Sequence, residues 1–118
     1  MTARTSDDVR KIALSLPETT EKTAWQMPTF RVAGKMFLTI PDDETSFAVR
    51  CPMLERDELV LAEPEKFWIA SHEASFAWIR VRIAALDDLD ELRAIVVDSW
   101  RQAAPPRLAA EHPDPLKG

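Results

Sequence analysis

The distribution of glycine constrains the fold of this chain more than any other feature. Of its two glycines, Gly118 is the last residue, so Gly34 is the only interior one. Gly34 is therefore the one interior position that reaches positive φ without a steric cost. Apolar and polar residues alternate on both sides of it, from Trp25 to Phe37. This pattern predicts a β-hairpin that turns at Gly34.

The sequence also predicts a register for this hairpin. We expect a three-residue loop over residues 32–34, in which a type I turn is followed by a left-handed glycine. Arg31 then faces Lys35 across the strands and Phe30 faces Met36, whereas a two-residue loop would break the alternation. One face carries Phe30, Met36, Leu38 and Ile40, and the other carries Thr29, Arg31, Lys35, Phe37 and Thr39.

Helices are predicted near the start, the middle and the end of the chain. Thr5 or Ser6 caps the first helix, and Pro17 ends it because the residue before a proline avoids the helical conformation. A second helix is expected roughly over residues 54–62. A third is expected from Asp87 or Asp88 to about residue 103, with Trp100 on its inner face.

Strands are predicted near residues 20–26, 28–32, 35–40, 45–51 and 76–83, and residues 41–44 should form a turn. The short apolar segment at residues 67–69 is either a further strand or a buried turn. Together these elements predict a two-layer α+β fold. One antiparallel sheet of about five or six strands is packed by the N-terminal, middle and C-terminal helices.

Length and composition predict one domain over residues 1–104, because 118 residues suffice for a single core. Residues 105–118 hold four of the nine prolines and are predicted to be a flexible tail. No apolar run approaches the roughly 20 residues of a membrane helix, and the first residues lack a secretory signal. The single cysteine, Cys51, suits a reducing cytoplasm, where we expect a monomer.

One predicted sheet face is basic, although the chain has a net charge of −5. Phe37, Phe76 and Trp78 are predicted to lie among its cations. Cations neutralise phosphates and aromatic rings stack on bases, so this combination favours DNA binding. Alternatively, the face is simply solvated, with its rings lying under arginine stems. The candidate nucleic-acid-binding residues are Arg31, Lys35, Arg50, Trp78, Arg80 and Arg82.

Several short motifs resemble the MmcQ/YjbR family of small bacterial proteins. They are residues 13–17 (Ala-Leu-Ser-Leu-Pro), 28–37 at the hairpin, 78–81 in the late strand and 98–100 (Asp-Ser-Trp) in the last helix. The family usually has tyrosine where this chain has Trp100. The motifs occur in the family's order, nearly up to Ala104. This resemblance implies a CyaY-like α+β fold and a DNA-binding role through a double-wing surface.

The sequence contains no recognisable catalytic or metal-binding motif. His72, His112 and Cys51 lack the spacing of zinc ligands. Cys51 is predicted to face inward as a small apolar side chain. A single interior glycine cannot build a phosphate-binding glycine loop. We therefore expect a non-catalytic protein with no cofactor and no metal.

A module that binds a small molecule or another protein is the alternative to DNA binding. Trp25 and Trp68 lie near predicted strand ends, where they either close the core or line a groove. A pocket lined by these rings and by one or two polar groups would favour a small ligand. Convergence of the five cations on one exposed face would favour DNA.

Overall fold

The computed structural model describes residues 5–41 and 45–116. This part of the chain contains six β-strands, four α-helices and two short 3₁₀ turns, at Ser71–Glu73 and Ile83–Ala85. In chain order the helices and strands are α1 (Ser6–Ser15), β1 (Thr19–Ala24), β2 (Met27–Val32), β3 (Lys35–Thr39), β4 (Ser46–Arg50), α2 (Met53–Ala62), β5 (Phe67–Trp68), β6 (Trp78–Arg82), α3 (Leu89–Ala103) and α4 (Pro106–Glu111). Apart from Pro41, the turn predicted at residues 41–44 lies outside the described residues.

The strands form one antiparallel sheet in the order β1-β2-β3-β4-β6-β5. Helices α1 and α3 pack on one face of this sheet, which confirms the predicted α+β fold. The largest fully buried side chains in this layer are Trp100, Phe30, Phe37 and Phe47. The Trp100 indole donates a hydrogen bond to the Pro17 carbonyl at 3.1 Å, which ties α3 to the end of α1. We call the other side of the sheet the open face.

Helices α1 and α3 begin at side-chain caps, close to where the sequence predicts them. Thr5 and Asp8 form a capping box at the start of α1, in which the Asp8 carboxylate accepts from the Thr5 amide at 2.9 Å. At the start of α3, the Asp88 carboxylate accepts from the Glu91 amide at 2.8 Å. Within the described chain, no helix is both long enough and apolar enough to cross a membrane.

The predicted register of the β2–β3 hairpin is wrong. Its loop has two residues, Ala33 and Gly34, with φ of 52° and 78°, which is the pattern of a type I′ turn. Arg31 pairs with Met36 instead of Lys35. The register then shifts so that Phe30 pairs with Leu38, which leaves Phe37 as an extra, bulged residue. The bulge buries Phe37 as well as Leu38 and places Met36 on the open face with Arg31.

A serine from α3 joins β3 and β4 where their pairing ends. These strands pair only at Leu38–Val49 and Thr39–Ala48. Beyond this point the buried Ser99 hydroxyl donates to the Phe37 carbonyl and accepts from the Arg50 amide at 2.9 Å. The hydroxyl thus satisfies two backbone groups that the sheet leaves unpaired.

The chain beyond Ala104 differs from the flexible tail that its prolines predict. Pro106 occupies the first turn of α4, where proline is well tolerated because the first amides of a helix have no internal partner. Leu108 is 1% exposed, and Leu116 packs against the same core. Burial of these leucines orders the segment, so Pro105 and Pro106 separate two helices and do not end the fold.

Candidate functional site

The open face carries most of the predicted site residues. In the β4–β6 pairing, Arg50 lies opposite Trp78, Ala48 opposite Arg80 and Ser46 opposite Arg82. Because alternate residues of a strand share a face, Trp78, Arg80 and Arg82 all lie on one side, and their partner Arg50 lies there too. Arg31 reaches the same face from β2.

Lys35 is the exception among these residues. It pairs with the fully buried Val32 and therefore belongs to the other side of the sheet, where it is exposed at the tip of the hairpin. The five cations therefore do not all converge on one face.

Arg80 is not free to contact a phosphate through its whole guanidinium group. The residue is only 9% exposed. Its Nε and Nη2 donate to the two carboxylate oxygens of Glu73 at 3.0 and 3.1 Å, a bidentate ion pair. His72 lies beside this pair, with its Nε2 3.4 Å from Arg80 Nη2. Glu73 largely neutralises Arg80, a role that its sequence position did not indicate.

The other cations differ in how firmly they are held. Arg50 donates from Nε to the Met36 carbonyl at 2.7 Å, and its guanidinium carbon lies 5.9 Å from the centre of the Trp78 ring. Arg82 donates to the Glu65 carbonyl at 2.7 Å and lies 4.7 Å above the Trp68 ring. Arg31 is half-buried, and its Nε has no hydrogen-bond partner within the described residues.

A groove crosses the open face beside the Arg80–Glu73 pair. Its volume is about 570 Å³, within the size range of small-molecule sites. We call it the aromatic groove. Its lining residues are Trp25, Met27, Met36, Thr39, His72, Glu73, Phe76, Trp78 and Arg80.

Trp25 stands at one side of the aromatic groove in an unfavourable backbone conformation. Trp25 and Gln26 form the two-residue turn between β1 and β2, with φ of 53° and 63°. A left-handed conformation costs a residue with a Cβ roughly 1–2 kcal/mol. The Trp25 side chain is 73% exposed, so burial does not offset this cost. Phe76, also lining the groove, is 59% exposed.

Arg56 holds the loop that carries Glu73 and Phe76. It lies on α2, is only 6% exposed and points its guanidinium at backbone carbonyls of that loop. Nη1 donates to the Phe76 carbonyl at 2.8 Å and Nη2 to the Ala74 carbonyl at 3.1 Å. Longer contacts of 3.5 and 3.4 Å reach the carbonyls of Glu73 and Trp78. Arg56 thereby fixes the loop that forms one wall of the groove, up to the start of β6 at Trp78. We call these hydrogen bonds the Arg56 clamp.

The structure and the sequence differ on which tryptophans line a pocket. Trp25 shares the aromatic groove with Trp78, whereas Trp68 lies under Arg82. No local signal marks the two-residue turn at Trp25, because neither Trp25 nor Gln26 is a residue type that favours positive φ. No local signal marks Arg56, since its contacts lie 17–22 residues along the chain.

The fold does not activate Cys51 as a nucleophile. Burial, with smaller contributions from Glu55 and Asp98, raises the pKa of its thiol from 9.0 to about 11. A thiol of raised pKa is a poor nucleophile at neutral pH. Within residues 5–41 and 45–116, no group of three or more histidine, cysteine or acidic side chains is placed to hold a metal ion.

A helix-backed antiparallel sheet with a groove on its open face defines a small two-layer α+β domain. Residues 14–102 match the YjbR family model, so the chain belongs to the YjbR family. This confirms the family that the sequence motifs indicate. The matched segment ends before α4.

The fold is similar to that of the Deinococcus radiodurans protein DR2400, whose crystal structure contains a DUF419 domain. The two share 18% sequence identity with a TM-score of 0.74, over 97% of this chain and 91% of that chain. At this level of identity the similarity concerns the fold. No curated protein shows significant sequence similarity to the chain.

Proposed function

We propose that this protein is a non-catalytic binding module whose aromatic groove takes a planar, largely apolar ligand. The observation that carries the proposal is Trp25, an exposed tryptophan held in a left-handed turn beside the groove. Neither backbone preference nor core packing accounts for a tryptophan there. Unfavourable backbone conformations persist where function requires the side chain.

The surroundings of Trp25 support ligand binding. Trp78 and Phe76 supply further ring surfaces, and Met27 and Met36 supply adaptable apolar side chains. The Arg56 clamp fixes the loop bearing Phe76, so less conformational entropy is lost when a ligand binds.

The test compares two substitutions of the same kind, Trp25→Asn and Ala33→Asn. Both positions have positive φ in a two-residue hairpin turn, which asparagine tolerates better than tryptophan or alanine. Each variant should therefore be more stable than the natural protein, by about 0.5–1 kcal/mol. Only Trp25→Asn should lose ligand binding, because Ala33 does not line the groove.

Binding is measured by NMR of the ¹⁵N-labelled protein, with neutral 2-naphthamide as the probe. The indole signals of Trp25 and Trp78 should shift on titration, while that of the fully buried Trp100 should not. The Ala33→Asn variant should bind like the natural protein. Unchanged Trp25 and Trp78 signals, or full binding by Trp25→Asn, would refute the proposal.

DNA binding through the open face is a second candidate, supported by a specific observation. Within the described residues, none of Arg31, Lys35, Arg50 and Arg82 forms a salt bridge, unlike Arg80. Unpaired cations beside exposed rings suit a phosphate backbone with unstacked bases. Arg80 and Lys35 contribute least, because Glu73 neutralises the first and the second lies on the other side of the sheet.

Fluorescence anisotropy of labelled single-stranded and duplex DNA at two salt concentrations tests this candidate. The Arg50→Ala, Arg82→Ala double variant should bind more weakly and with a shallower salt dependence, because it makes fewer phosphate contacts. Arg107→Ala on α4 is the matched control, since this arginine is exposed and pairs with Glu111 at 2.9 Å. Equal binding by all three proteins, or none at low salt, would exclude this surface.

A further inference from the structure

Among the residues that line the aromatic groove, Arg80 carries a charged hydrogen-bond donor that the fold does not use. Arg80 Nε and Nη2 are both taken by Glu73. Its Nη1 makes no hydrogen bond within the described residues, and protein atoms do not fully enclose it. Arg80 lines the groove, so this last nitrogen is the part of the buried guanidinium that a ligand can reach.

The charge around this donor favours an acceptor that carries negative charge. Arg80 and Glu73 cancel each other as a pair. Arg50 then adds an uncompensated positive charge, since its guanidinium contacts Met36 and Trp78, two residues of the groove lining. The net positive charge that Arg50 adds disfavours a cationic ligand and favours a carboxylate.

We infer that the groove takes a planar aromatic carboxylate, with its ring among Trp25, Phe76 and Trp78 and its carboxylate on Arg80 Nη1. This inference rests on the proposed binding function and specifies the chemistry of the ligand. The bidentate pair with Glu73 holds the arginine in one orientation, so the donor is in place before the ligand arrives. Arg80 is the carboxylate-binding residue and Glu73 the residue that positions it.

The first experiment needs no variant. It compares three probes of nearly equal shape on the natural protein by NMR titration: 2-naphthoate, 2-naphthamide and 2-naphthylmethylammonium. The carboxylate should bind about three- to tenfold more tightly than the amide, as expected for a partly solvated charge-assisted hydrogen bond. The cation should bind most weakly.

Two substitutions should move this preference in opposite directions. Arg80→Gln removes the positive charge and leaves the Glu73 carboxylate uncompensated, so the ratio of carboxylate to amide affinity should fall to about one or below. Glu73→Gln removes the compensating negative charge and leaves Arg80 charged, so the ratio should rise above that of the natural protein. A merely structural role for the pair predicts that both variants weaken both probes equally, which would overturn the assignment of Arg80.

The outcomes separate this inference from the proposed function. Binding of 2-naphthamide at least as tight as that of 2-naphthoate would overturn the carboxylate and leave the aromatic groove a binding site. Binding of none of the probes would refute the groove as well. Because the probe comparison uses the natural protein, it decides the question even if Arg80→Gln fails to fold.

Discussion

Replacing Arg56 by methionine tests whether one buried arginine holds the loop of the aromatic groove. Methionine fills a similar volume but cannot donate to the loop carbonyls. The variant loses two short hydrogen bonds, to Phe76 at 2.8 Å and Ala74 at 3.1 Å, and two long ones. A hydrogen bond to a charged group contributes about 1.5–3 kcal/mol, and the lower value applies here because the loop carbonyls gain water when released. We therefore expect a loss of about 3 kcal/mol.

Arg56→Lys should lose about half as much, because a lysine ammonium keeps the charge but cannot bridge separated carbonyls. Urea denaturation of both variants gives the free energy of unfolding. The control is Arg107→Met, whose exposed pair with Glu111 contributes only a few tenths of a kcal/mol.

Hydrogen exchange localises the effect. The Phe76 amide donates to the Glu73 carbonyl at 3.0 Å, and its protection should fall more in Arg56→Met than the global loss of stability requires. Binding of 2-naphthamide should weaken in parallel, because the loop carries Phe76. A destabilisation no larger than that of the control, or unchanged protection of this amide, would refute the clamp.

Three further substitutions test separate parts of the fold. Leu108→Ala should lower the free energy of unfolding by about 2–3 kcal/mol, because Leu108 is 1% exposed. Leu61→Ala, on the exposed side of α2, should change it little. Equal effects of the two substitutions on urea denaturation would contradict a packed α4. Ser99→Ala should cost about 2 kcal/mol by leaving two backbone groups unpaired, with the exposed Ser15→Ala as control. Because the pKa of the Cys51 thiol is higher in the folded protein, the unfolded chain loses this proton first as pH rises. The free energy of unfolding should therefore fall as pH rises from about 9 to about 11. The Cys51→Ala variant should lack this part of the pH dependence.

The parts of the fold that depend on nearby residues were predictable. The capped starts of α1 and α3 follow from side chains within three residues of each other. The hairpin at Gly34 follows from local alternation, and the family follows from short motifs in order. The register of this hairpin was not predictable in this way, because burial of the Phe37 ring in the core determines the bulge at that residue.

The candidate site was predictable only in part. Alternation correctly placed Arg50, Trp78, Arg80 and Arg82 on one face of the sheet. It could not show that Glu73 neutralises Arg80, or that Arg56 reaches a loop 17–22 residues away. Such pairings form when the chain closes on itself, so no local pattern records them.

By itself, then, the sequence determined the order of helices and strands, the α+β class and the family, since periodicity, caps and turns act over a few residues. Only the tertiary structure decided which charges are free. Lys66 shows the reason: it is buried among Glu63, Asp87 and Glu91, at 3.0, 3.3 and 2.9 Å, and these carboxylates raise the pKa of its ammonium group well above its usual range. From the sequence alone, a lysine or arginine is expected to be a solvated cation. Its neighbours in space decide whether it binds a ligand, holds a loop or forms a buried ion pair.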